Sequence, residues 1–141
     1  MTRQPKERGS ASIEAAVGVP AFILFIGLII FAGRLAIAHN AVQASAAEAA
    51  RTASIARTQP EAIAQATSSA AASLTNQNVN CLSQRVQVDT AGFAAPAGTE
   101  ATVTATVTCV VNLSDLSVPG VPGSRTVTAT MTSPIDTYRE R

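Results

Sequence analysis

Few side chains in this sequence are placed to do chemistry, and the most informative stand within seven consecutive residues, Arg8-Gly9-Ser10-Ala11-Ser12-Ile13-Glu14. They set a carboxylate immediately before nineteen uncharged residues, Ala15 to Gly33. A carboxylate costs about 2.5–3.5 kcal/mol at the centre of a membrane helix and less at its edge, so Glu14 needs the headgroup layer or a positive partner. The plain reading puts Glu14 in the first turn of a helix capped by Ser10 or Ser12, where the helix dipole favours negative charge. The other candidates are weaker. Cys81 and Cys109 are the only cysteines; without a Cys-x-x-Cys spacing they read as a structural disulfide rather than a redox pair. His39 is the only histidine, which speaks against zinc and against a catalytic base, and leaves it as a polar residue near an interface. Asp89, Asp115 and Asp136 are scattered as surface charges, with no glycine-rich phosphate loop and no metal-ligand spacing. The expectation is a chain with no catalytic residues, no metal and no cofactor, hence no enzyme and no small-molecule substrate.

The elements that must carry these residues begin with the apolar run. At ~1.5 Å per residue, nineteen residues make a helix of about 28 Å, close to the ~30 Å hydrocarbon core of a bilayer. Arg34 ends it. Arg3, Lys6 and Arg8 precede it with Glu7 alone against them, so the N-terminus should stay in the cytoplasm and everything after Arg34 should lie outside. Pro20 and the glycines within the run are tolerated in membrane helices. A second reading is a signal peptide cut after Ala36-Ile37-Ala38, before His39; the apolar run exceeds the usual ~7–15 residues of such a peptide, and Arg34 falls between it and the cut. Net charge is +1, aromatics make up 4% and Trp is absent, so nucleic acid is not an expected partner.

A basic leader ending in Gly9, followed by Ser10, Glu14 and an apolar helix, resembles the type IV pilin superfamily. That resemblance implies cleavage after Gly9 by a prepilin peptidase, with Ser10 as the new N-terminus. Glu14, then the fifth residue, would pair with a neighbouring subunit's terminal amine during assembly. Such a pair neutralises a charge that neither group could carry alone in apolar surroundings. Within the superfamily, Arg-Gly-Ser-Ala-Ser followed by Ile13-Glu14-Ala15-Ala16-Val17 looks most like the TadE-like proteins of Tad (Flp) pilus systems. Ala49-Ala50-Arg51 adds to the likeness, and Pro134 to Arg139 gives a weaker echo. It covers roughly Arg8 to Arg57 and implies other pilin-like subunits and the pilus assembly machinery as partners. Ser10 departs from the large apolar first residue frequent in major pilins and points to a minor or pseudopilin role.

After Arg34 the sequence runs to Arg57 without Gly or Pro and is rich in Ala, so the helix should continue outward as a spine. Leu35, Val42, Ala49 and Ala56 recur every seven residues as a seam, with Glu48 and Arg51 as an i,i+3 pair on another face. Either neighbouring subunits supply the seam's partners or the helix is a solvated stalk. Thr58-Gln59-Pro60-Glu61 starts a second helix reaching about Leu74. The polar stretch Asn76 to Asn80 marks a boundary.

Beyond it, apolar and Thr residues alternate from Glu100 to Val111 and again from Arg125 to Thr132, with Arg85 to Val88 as a shorter candidate. An antiparallel sheet with one wet, Thr-rich face follows, the other face packing on the second helix. Strand parity sets Cys81 with Arg85 rather than with Val86, so either a bulge intervenes or Cys81 precedes the strand. Tyr138 and Arg139 would cap the last strand or form a contact. The expected fold is α+β: a leader (1–9), a membrane helix and its extension (10–57), a second helix (58–75) and a small extracytoplasmic β-rich domain (76–141). Three hypotheses stand together: a pilin-like assembly subunit, a small secreted β-protein released near His39, and a signal-anchored binding protein that never polymerises.

Overall fold

The computed structural model describes residues 8–116, 119–120 and 122–137. Helix α1 runs unbroken from Arg8 to Ile55 and passes through Pro20. At ~1.5 Å per residue its 48 residues span about 72 Å. Helix α2 (Gln59–Asn76) folds back along it, and strands β1 (Cys81–Asp89), β2 (Ala101–Asn112) and β3 (Ser124–Ile135) form an antiparallel meander in the order β1-β2-β3. The α+β architecture expected from the sequence is present.

Local chemistry sets the ends of α2. The Thr58 side chain accepts from the Glu61 N–H at 3.4 Å, and the Glu61 carboxylate accepts from the Arg57 N–H at 3.1 Å, a variant of the reciprocal capping pattern. At the other end Asn78 takes a left-handed φ of 55° and the Val79 N–H donates to the Leu74 carbonyl at 3.1 Å, which satisfies carbonyls the helix leaves open. The polar stretch Asn76 to Asn80 is therefore a helix stop.

One core joins the second half of α1, α2 and the sheet. Ala38, Ala41, Val42, Ala46, Ala49, Ala50, Ala53 and Ala56 form the buried stripe of α1; Ala62, Ala66, Ala70 and Leu74 form that of α2. Small side chains let the helix backbones approach closely. Ser45 Oγ donates to the Ala70 carbonyl at 3.0 Å inside this contact, and Thr52 and Ser69 share a hydroxyl bond of 2.7 Å at its edge. From Val42 onward the heptad seam is buried, and its partners are α2 and the sheet of the same chain rather than helices of other subunits. The sheet's inner face departs from expectation in the same way: α1 covers β2 and β3, while α2 reaches β1. The longer helix runs through the centre of the fold, so it takes the larger share of the sheet. Glu48 and Arg51 make no ion pair among the described residues and stand exposed, in keeping with the small return of a surface pair.

On β2, Val103, Ala105, Val107 and Cys109 are fully buried, and the alternate threonines face outward. Three Thr–Thr hydroxyl bonds of 2.9–3.2 Å cross to β3 on that wet face: Thr104–Thr132, Thr106–Thr130 and Thr108–Thr128. The register shifts between Cys81 and Ser83. This bulge turns Cys81 onto the inner face with Val86, resolving the parity conflict in favour of an inserted residue. At the end of the sheet where α1 finishes, a short 3-10 turn (Ala91–Ala94) buries Phe93. A Cβ on Gly92 there would meet the Thr102 carbonyl oxygen at 2.2 Å, so the turn has room only for glycine.

Candidate assembly and membrane-anchoring site

The first half of α1 has no partner within the chain. Eleven large apolar side chains between Ile13 and Ile30 stand 41–70% exposed, and they point in all directions around the helix. Burying such a side chain stabilises by about 1.5–3 kcal/mol, so holding this surface in water costs on the order of 10 kcal/mol. That approaches the whole stability of a typical domain, about 5–15 kcal/mol. The best 18-residue window has a mean hydropathy of 2.6 and none of it is buried. A core helix would be covered, whereas a helix apolar on every side belongs in hydrocarbon. This geometry fits a single-pass membrane anchor.

Gly9 and Ser10 lie within α1. Ser10, Ser12 and Glu14 all lie within the helical segment Arg8–Ile55, so neither serine stands just outside it in an N-cap position. Glu14 is exposed. The plain reading of Glu14 as a first-turn carboxylate behind a serine cap is therefore not what the helix provides. Arg3, Lys6, Tyr138 and Arg139 lie outside the described residues.

Arg34, where the apolar run ends, forms a hydrogen-bonded ion pair with Asp115 in the β2–β3 connection. The Arg34 hydrogen bond, with the guanidinium charge behind it, holds the Asp115 carboxyl below its ordinary value. The pair ties the membrane end of the helix to the head, and Asp115 is thus more than a scattered surface charge. Nothing local in the sequence signals it, because the partners are 81 residues apart. Asp89 accepts from the Ala91 N–H at 3.0 Å and shapes the turn after β1. Asp136 follows β3 directly.

Cys81 and Cys109 form a disulfide, Cα to Cα 5.4 Å, that joins β1 to β2 near the same end of the head. Closing a loop of 28 residues contributes about 3.5 kcal/mol in the chain-entropy account. For a core built mostly of alanine that is a large share. His39 sits exposed on α1, five residues beyond Arg34. Among the described residues no three His, Cys, Asp or Glu side chains come together as a metal site.

Residues 9–51 match the family model of the TadE-like proteins. The likeness to that family is confined to this segment. It begins at Gly9 and ends at Arg51, covering the exposed half of α1 and most of its buried half. Helix α2 and the sheet lie outside the TadE-like match. No curated protein and no solved structure matches the chain.

Proposed function

We propose that this protein is a minor pilin or pseudopilin-like subunit that takes part in assembly of a Tad-type pilus. The observation that carries the reading is a helix that matches the TadE-like family, with an apolar first half that is unburied from Ala15 on and a second half at the centre of a folded head. In this reading a prepilin peptidase cuts after Gly9 on the cytoplasmic side. The helix then begins at Ser10, which brings Glu14 close to the new terminus, where it pairs with the amine of a neighbouring subunit. The N-terminus faces the cytoplasm and the head lies outside. A disulfide supports that side, since disulfides persist in oxidising compartments. Release by signal peptidase is less well supported, because a cut between Ala38 and His39 falls inside an uninterrupted helix, beside a residue only 3% exposed.

Sequencing the N-terminus of the mature chain from its host is the direct test. A start at Ser10 is expected; a start near His39 or at the initiator Met sinks the assembly reading. Glu14→Ala should leave membrane insertion intact and reduce incorporation into filaments, as read by shearing pili from cells and blotting. Equal incorporation with and without the carboxylate removes Glu14 from the mechanism.

A further inference from the structure

Where α1 leaves its apolar run, it diverges from the start of β3 and opens a cavity of about 880 Å³. Ala32, Leu35 and His39 line one side, and Ser124 and Arg125 the other. This volume is within the ~300–1,000 Å³ range of small-ligand sites. The lining changes character along the helix. Ala32 belongs to the membrane segment, Leu35 follows it, and His39 and Asn40 stand above them.

Arg125 is the unusual member. It pairs with Val111 in the sheet register, so its parity places it on the inner face with Val127 and Ala129, where the pattern calls for an apolar residue. It is exposed and makes no ion pair among the described residues. Arg34, on α1, is already engaged by Asp115. An inward-facing guanidinium, an imidazole and hydroxyls above an apolar floor match a molecule with a phosphate at one end and hydrocarbon at the other.

Height gives the source of such a molecule. From Gly33 to His39 the helix rises about 9 Å, while each headgroup layer is about 5–8 Å thick outside the hydrocarbon. The cavity therefore opens at headgroup level and its floor continues into the lipid-facing surface of α1. We propose that this groove binds the headgroup of an anionic phospholipid, with Arg125 on the phosphate and the acyl chains along the exposed half of α1. The proposal rests on the reading of residues 15–33 as a bilayer span.

The test uses the full chain in nanodiscs of phosphatidylcholine and phosphatidylglycerol, extracted gently and weighed by native mass spectrometry. Phosphatidylglycerol should be enriched on the protein over its share of the mixture. Arg125→Ala should lower that enrichment about fivefold, the worth of one juxtamembrane cation. Arg125→Lys should keep part of it, and Arg85→Ala, on the outer face of β1, should leave it unchanged. Excess inorganic phosphate should not displace the lipid; displacement would mean a free-phosphate site and overturn the lipid assignment. Enrichment indifferent to Arg125 overturns the proposal and leaves that residue as an inward charge that blocks edge pairing. So does a result in which Arg125→Ala abolishes cross-linking between the groove and a second copy's Glu14 region while lipid retention stands. A chain that washes from membranes in carbonate fails the span reading. One that stays but shows no Arg125 dependence fails the groove alone.

Discussion

The two halves of α1 share one continuous backbone conformation but face two different solvents. From Ile13 to Ile30 eleven of the eighteen residues are large, branched or aromatic, and all eleven are exposed. From Ala38 to Ala56 the buried positions recur every three or four residues, nearly all of them alanine, while Glu48 and Arg51 stand on the open side. In the first half bulk is useful, because lipid chains conform to any shape. In the second half bulk would push α2 and the sheet away, and alanine lets three layers meet. Residue size, more than hydrophobicity, separates anchor from core.

Cutting α1 at the junction separates its two halves most directly. A chain from Arg34 to Arg141 keeps the whole buried stripe and should fold as a water-soluble domain with a cooperative melt. A chain from Asn76 onward leaves Val103, Val107 and Cys109 without the helices that cover them. It should lose all measurable stability, a change of about 5–15 kcal/mol. Circular dichroism melts of the two fragments decide the matter, and a folded Asn76–Arg141 piece would show that α1 is only a tether for the head.

A smaller effect is expected from the disulfide. Reduction, or Cys81→Ser with Cys109→Ser, should lower head stability by about 3–4 kcal/mol, since the link restrains the unfolded chain and the Cys109 site is fully buried. Denaturant midpoints with and without reductant measure it. Membrane fractionation of the same variant should not change, because the anchoring half of α1 touches neither cysteine. If reduction released the protein from membranes, the two halves would not be independent.

Much of this division could be read from residue order. The period-two alternation of Val103 to Val111 against Thr102 to Thr108 announces β2, and the uncharged run before Arg34 announces the anchor. Pro60 with Glu61 marks the start of α2. Strand ends were less legible: β3 runs three residues past Thr132 and includes Pro134, which an edge strand tolerates because its missing N–H interrupts no ladder on the open side. The bulge beside Cys81 had only an indirect sign, the clash of parity between a cysteine and Val86. Least legible was the partner of the alanine seam. Its signal was the four-residue spacing of Ala62, Ala66, Ala70 and Leu74, but alanine is so common here that the stripe looks like composition rather than a face. At the candidate site, Gly9, Ser10 and Glu14 stand in a motif that residue order alone displays. The groove is not displayed there, because it needs Arg125 brought to within a cavity's width of His39 by the folding of three intervening elements.

The smallest effect concerns the joint between the two halves. The Arg34–Asp115 pair is half exposed on both sides, so it should contribute little to stability at neutral pH and less in high salt, where the Debye length falls to about 3 Å. Its sign is nonetheless fixed. The folded carboxyl titrates below its ordinary value of about 3.9, so the unfolded state binds the proton more readily. The pair's contribution is whole above that value and is lost as pH falls through the lowered folded value. Asp115→Asn should therefore narrow its difference from wild type as the melt is repeated toward pH 3, and should flatten the salt dependence. A difference that stays constant from pH 7 to pH 3 would mean that the connection is held by packing around Leu113 and Leu116, with the charges as bystanders.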